Sequence, residues 1–236
     1  MVSQALKRSS RHLDRRIASY GFAAIGALAM TPAAGAQVIY TQTDLKLTHG
    51  ALTFDIDANG TPDFYLVNRQ TNSYYFVGGE LFMRGNPLES NAVVGHEGNR
   101  VYEALPVPEG VTIGPNSPGS FLTASRLKAP FMAEAAYSYN VGKILNGRFA
   151  NTTAQYLGFR FTGNRATHYG WMRLSVIADV TKFPSITVKV SGYAYEATPD
   201  TAIVVGDRGH STAQSPQMQP SGLTLGQLSL GAAGRK

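Results

Sequence analysis

Cysteine is absent from this 236-residue chain, which excludes disulfide cross-links, thiol nucleophiles, zinc–thiolate sites and haem attachment through thioethers. Stability therefore has to come from an apolar core. Tryptophan occurs once, as Trp171. No segment holds a helical period over three turns, the best candidate being a short stretch from Ser125 to Tyr139. No Gly-x-Ser-x-Gly elbow, glycine-rich phosphate loop or His-Glu-x-x-His pair occurs, so common signatures of serine hydrolases, nucleotide enzymes and zinc proteases are missing.

What is there begins with an address. Lys7, Arg8, Arg11, Arg15 and Arg16 form a basic segment, Gly21 to Met30 is a run of small and aliphatic residues, and Ala34-Gly35-Ala36 supplies the small side chains that signal peptidase accepts. Residues 1–36 are expected to be a signal peptide for the general secretory route, with Gln37 first after cleavage. The ten-residue apolar run falls well short of the ~20 residues that cross a bilayer as a helix, so no stable transmembrane span is expected. Of 21 Lys and Arg and 15 Asp and Glu, five bases and one acid lie in the leader. That leaves 16 against 14, a net of +2 on residues 37–236. The basic balance belongs mostly to the leader, and no patch remains that calls for nucleic acid.

Residues 37–236 are rich in Gly, Tyr, Phe, Val and Thr, with turn residues about every eight to twelve positions, a spacing that favours an all-β sandwich or barrel. Leu52, Phe54 and Ile56 alternate with Thr53, Asp55 and Asp57, predicting a strand with one apolar face. Leu157, Phe159 and Phe161 before Gly163-Asn164, then Met172, Leu174 and Val176, predict a hairpin. Ile186, Val188 and Val190 alternate in one phase and Tyr193 and Tyr195 in the other, so Gly192 marks a β-bulge in a long bent strand. The expectation is a single β-sandwich, jelly-roll or lectin-like, over residues 37–206, with long loops. Residues 207–236 are expected to be a flexible spacer and tail.

The sharpest chemistry lies in Asp55-Ile56-Asp57-Ala58-Asn59-Gly60-Thr61-Pro62-Asp63. Side-chain oxygens at loop positions 1, 3, 5 and 9, a backbone carbonyl at 7 and a turn-forming glycine at 6 can wrap a hard cation. Asp55, Asp57, Asn59 and Asp63 supply the side chains and Thr61 the carbonyl. Three carboxylates in nine residues repel one another unless a cation lies between them, and calcium suits such an all-oxygen set better than magnesium. Position 12 of an EF-hand would be Leu66 rather than Glu, so this is not that motif, and the affinity expected is on the order of 10⁻⁴ to 10⁻³ M. The bland reading is a polar hairpin turn around Asn59-Gly60 with solvated aspartates.

The acidic loop resembles the calcium hairpins of integrin-type and thrombospondin-type repeats. Together, Val38-Ile39-Tyr40 leading into Phe54 to Phe64, Phe159 to Val176, and Tyr193 to Gly206 resemble uncharacterised exported bacterial β-rich proteins that often end in PEP-CTERM-type sorting tails. The resemblance implies an exported β domain associated with the cell envelope or with extracellular polysaccharide. Leu223 to Gly234 followed by Arg235-Lys236 is built like such a tail, although no Pro-Glu-Pro precedes it.

The leading expectation is therefore a non-enzymatic, exported β protein of the envelope or extracellular matrix, with a structural calcium loop. The alternative is a carbohydrate-active protein, either a lectin-like binder using Trp171 and neighbouring tyrosines or a hydrolase using two of Glu80, Glu89, Glu97, Glu103, Glu109 and Glu134. For Trp171 and His168 the commoner role is packing.

Overall fold

The computed structural model describes residues 37–98, 102–117, 120–125 and 128–209. The expected leader and residues 210–236, with the sorting-like tail, lie outside them. The described residues contain fifteen strands and no helix.

The strands are β1 (Val38–Leu47), β2 (Gly50–Phe54), β3 (Phe64–Asn72), β4 (Phe76–Gly85) and β5 (Ala92–Glu97). Short strands follow: β6 (Tyr102–Ala104), β7 (Pro106–Val107), β8 (Thr112–Ile113) and β9 (Ser120–Thr123). The chain continues through β10 (Phe131–Ser138), β11 (Gly142–Asn146), β12 (Thr152–Gly163), β13 (Ala166–Asp179), β14 (Ser185–Glu196) and β15 (Ile203–Val204). Thirteen of the fifteen form one sheet with the order β1-β14-β13-β12-β5-β6-β10-β4-β3-β2, to which β11, β7 and β9 add at β10, β12 and β5. Its end strands β1 and β2 are consecutive in sequence and come back into contact, so the sheet nearly closes into a barrel. The all-β class is as expected. The continuity of one sheet around the core, with β4 and β10 lying across the interior from β14, is the architecture that positions the site.

Local sequence explains the longest strands. In β12 to β14, Leu157, Phe159, Phe161, Met172, Leu174, Val176, Ile186, Val188 and Val190 all point into the main core and are essentially inaccessible. The opposite face of the same strands is also covered. Tyr156, Tyr169, Trp171 and Ala194 form a second apolar cluster beneath the β8–β15 ribbon, through Ile113, Ile203 and Val205. Trp171 is 1 % exposed, its indole N–H donates to the Asp207 carbonyl at 3.1 Å, and its ring meets Tyr156 edge-on. Asp207, Arg208 and Gly209 therefore lie against the fold, with the Arg208 guanidinium over the Tyr40 ring. His168 is buried, bonded through Nδ1 to the Glu196 carbonyl and stacked on Phe161.

The β12–β13 hairpin turns at Asn164 and Arg165, both with positive φ (50° and 65°), the backbone of a type I′ turn whose twist suits paired strands. The bulge also lies where the phase shift put it. Arg173 faces Gly192 and Leu174 faces Val190, leaving Ser191 as the extra residue, after which Tyr193 and Tyr195 take over the core-facing side. A Cβ on Gly192 would come within 2.6 Å of the Tyr40 hydroxyl.

Two sequence expectations are corrected. Most of the helical candidate Ser125 to Tyr139 is the strand β10, held between β4 and β11. Its alanines favour a helix locally, but here Ala136 lies opposite Gly78 of β4, so close that a Cβ on Gly78 would sit 2.5 Å from it. Tertiary packing overrides propensity. The strand expected from Leu52 through Asp57 is β2, which stops at Phe54, and Ile56 is buried from within the loop that follows.

Because Trp171 anchors the second cluster, Trp171→Ala should lower unfolding free energy by about 3–5 kcal/mol, measured by urea titration followed by circular dichroism. A loss below about 1 kcal/mol would show that the outer cluster is not a core.

Candidate metal centre

The acidic loop joins β2 to β3, and the ladder between these strands closes it. Phe54 pairs with Phe64, and the Asp63 amide donates to the Phe54 carbonyl at 2.8 Å. Between these points the chain bends through Ala58 (φ 57°) and Gly60 (φ 87°), both left-handed; glycine carries no Cβ penalty there.

The aspartates organise this bend. Asp55 accepts from the Asn59 amide at 3.1 Å and from the Gly60 amide at 2.7 Å. Asp57 accepts from the Asn59 amide at 3.2 Å and from the Asn59 side-chain amide at 3.0 Å. The Asn59 side-chain oxygen accepts from the Thr61 amide at 2.7 Å. Carboxylate oxygens of Asp55, Asp57 and Asp63 lie within 4.8 Å of one another. The structure thus brings together the three acidic residues of the expected set and leaves Asn59 and Thr61 on the exposed rim.

Asp63 differs from the other two. It is 1 % exposed, and its Oδ2 accepts from the Ile56 amide at 2.6 Å. Its Oδ1 is buried without a hydrogen-bond partner. Such an atom costs about 1–3 kcal/mol, more if charged. Burial pushes the Asp63 pKa up from 3.8 to about 7, opposed by the Ile56 amide and assisted by the negative charge of Asp57, Glu89 and Asp55. Two unit charges about 4 Å apart near a protein surface repel by roughly 4 kcal/mol. The arrangement therefore needs either a proton or a cation, and a divalent ion meets the demand of all three carboxylates at once. The buried, unpartnered oxygen and the all-oxygen donor set fit calcium. Asp55, Asp57 and Asp63 would hold it, joined by Asn59 or the Thr61 carbonyl at the rim.

Several supporting residues had no clear signal in the sequence. Asn91, fully buried, donates from Nδ2 to the Asp63 carbonyl at 3.0 Å and to Glu89 at 2.9 Å, while its Oδ1 accepts from the Thr162 amide at 3.0 Å. It bolts the loop's exit to β12. Glu89 adds negative charge near Asp63. Gly163, at the end of β12, lies against the loop: a Cβ there would sit 2.7 Å from Asp57 Oδ2. The buried Tyr195 phenol also has a raised pKa, from burial first and then from Asp57 and Asp63.

Other candidate groups do not assemble. Glu80 and Glu134 are directly opposite across β4 and β10, but Glu80 pairs with Arg69 and Glu134 accepts from Asn146 at 3.1 Å. Glu103 pairs with Arg148 at 3.5 Å. The sequence also contains Ser125-x-x-Lys128, the spacing of some serine–lysine hydrolases. Here Ser125 Oγ accepts from the Lys128 backbone amide at 3.0 Å, and the ammonium lies over the Tyr102 ring. The Lys128 pKa is raised, chiefly by its hydrogen bond to Tyr102, the opposite of what a catalytic base needs. Among the described residues no helix is long and apolar enough to cross a membrane.

No family model, curated protein or solved structure matches this chain.

Two outcomes follow from the geometry. An acid with a higher pKa folded than unfolded contributes less stability as pH rises between the two values. In chelator, Asp63 should therefore lower stability as pH rises from 3.8 to about 7, with no further loss above. The pH slope of wild type minus that of Asp63→Asn isolates this effect in urea melts, and excess calcium should shrink it by competing with the proton for the folded state. Gly163→Ala should displace the Asp57 carboxylate and weaken calcium binding at least about tenfold, roughly 1.4 kcal/mol, measured by calorimetry, beyond any small stability loss in chelator from crowding Phe161 and His168.

Proposed function

We propose that this is an exported, non-enzymatic β protein of the cell envelope or extracellular matrix, in which calcium held by the Asp55 to Asp63 loop pins the β2–β3 hairpin. The observation that carries the calcium reading is the buried Asp63 oxygen without a partner, beside two further carboxylates. The leader-like residues 1–36 support export, and without cysteine the exported domain relies on its core for stability. The ion would be structural, stiffening the joint between two strands. Jelly-roll or lectin-like kinship belongs to this proposal and rests on strand content alone.

One observation favours the carbohydrate-binding reading, at a place the sequence did not indicate. Trp171 is buried, but Tyr74, Tyr75 and Tyr139 are 82 %, 66 % and 66 % exposed, with Tyr74 stacked on Tyr139 at 6.2 Å and edge-on to Tyr75 at 5.0 Å. Such rings could stack on the C–H face of a sugar. On a glycan array, signal lost in both Tyr74→Ala and Tyr139→Ala would support this reading; no wild-type signal would remove it.

Calorimetry of residues 37–236 tests the calcium reading. Wild type should bind one calcium with Kd on the order of 10⁻⁴ to 10⁻³ M, and Asp55→Ala and Asp57→Ala should each abolish the measurable heat. Equal, negligible heats for all three proteins would overturn it.

A further inference from the structure

Glu196 ends β14, and its residue is 0 % exposed. Its Oε1 accepts from two backbone amides, Gln37 at 2.7 Å and Thr198 at 2.8 Å, while Oε2 is buried with no partner. Among the described residues no lysine, arginine or histidine side chain forms an ion pair with it. A buried carboxylate without a counter-charge is strongly disfavoured. The charge that would satisfy it is close at hand in the sequence.

The nitrogen held at 2.7 Å belongs to Gln37, the residue that cleavage after Ala36 would make the first of the chain. Within the uncleaved chain that atom is an amide with a single N–H. After cleavage it is an α-ammonium with three N–H groups and a full positive charge. Its position is set by the sheet: Val38 pairs with Glu196, and the Ala197 amide donates to the Gln37 carbonyl at 2.9 Å. Gln37 and Glu196 share a cavity of about 420 Å³ with Val38, Ile203 and Asp207.

We infer that Glu196 is the receptor for the α-ammonium group of Gln37, so that removal of the leader supplies the counter-ion that completes the β1–β14 edge of the fold. The uncleaved chain can satisfy only Oε1. The processed chain can direct a charged donor to both oxygens, and a charge-assisted bond is roughly twice as strong as a neutral one. The anchor also protects the terminus. An N-terminal glutamine cyclises when its neutral α-amine attacks its own side-chain carbonyl carbon, forming the ring amide and releasing the side-chain nitrogen as ammonia; an ammonium held on Glu196 has no lone pair for that attack.

This inference rests on the leader reading and is independent of calcium. The test uses residues 37–236 released from a fusion by a protease that leaves Gln37 first, compared with the same chain carrying a short Gly-Ser extension. Melting temperature should be higher for the free terminus, and the difference should vanish when both chains carry Glu196→Gln. Equal melting temperatures in the wild-type pair, or a difference that survives in Glu196→Gln, would overturn the anchor. A second measurement needs no variant: cyclisation of Gln37, followed by mass spectrometry, should run roughly 10- to 100-fold slower in the native protein than in urea, the factor that a hydrogen bond to a charged group supplies. Equal rates would also overturn it. The intact mass of the exported chain tests the leader reading separately: a chain starting at Gln37 supports it, and any other start overturns that reading and the use of the anchor in the cell.

Discussion

Asp63 is held where a free carboxylate does not rest easily. Its own amide closes the β2–β3 ladder on Phe54, its carbonyl accepts from the Asn86 amide and the Asn91 side chain, and one carboxylate oxygen caps Ile56. Those bonds leave the other oxygen buried without a partner, in a carboxylate that lies within 4.8 Å of those of Asp55 and Asp57. The hydrogen bonds are backbone-directed and rigid, so the electrostatic conflict cannot be relieved by side-chain rotation without undoing the joint. A bound cation resolves the conflict in place, and the account of the loop depends on that.

The same logic operates at the other end of the sheet. Glu196 is a buried acid at a strand terminus with one oxygen satisfied by backbone amides and one left over. In both places the chain has placed negative charge inside a β structure that has no disulfide to hold its edges. Positive charge from outside the folded sequence, an ion in one case and a newly made terminus in the other, would tie down β2–β3 and β1–β14. These are the two ends of the nearly closed sheet, where an edge most needs blunting against pairing with other chains.

Much of the architecture was legible because the signals were local. The alternation in β12, β13 and β14 and the phase shift at Gly192 are each written within a few residues and appear where the pattern placed them, whereas the hairpin bend falls one residue later than Gly163-Asn164, at Asn164-Arg165, with Gly163 still paired to Ala166. The three aspartates of the loop were legible for the same reason. What was not legible depends on distant parts of the chain. The closure of one sheet depends on β5, β6 and β10, which link β12 to β4 through pairings between strands distant in sequence. The strand β10 looks helical because of its alanines, one of which, Ala136, lies close against Gly78 of β4. Glu89, Asn91 and Gly163 support the acidic loop from 26 to 100 residues beyond Asp63, with no shared motif to announce them. Trp171 drew attention as an aromatic beside a histidine, and only the ribbon formed by β8 and β15 explains why it is covered.

The most direct test is crystallographic. Crystals of residues 37–236 grown in millimolar calcium and measured at a wavelength where calcium scatters anomalously should show a peak among Asp55, Asp57 and Asp63, with Asp63 Oδ1 about 2.3–2.6 Å away. Density showing those carboxylates apart in solvent, with no anomalous peak between them, would contradict the account.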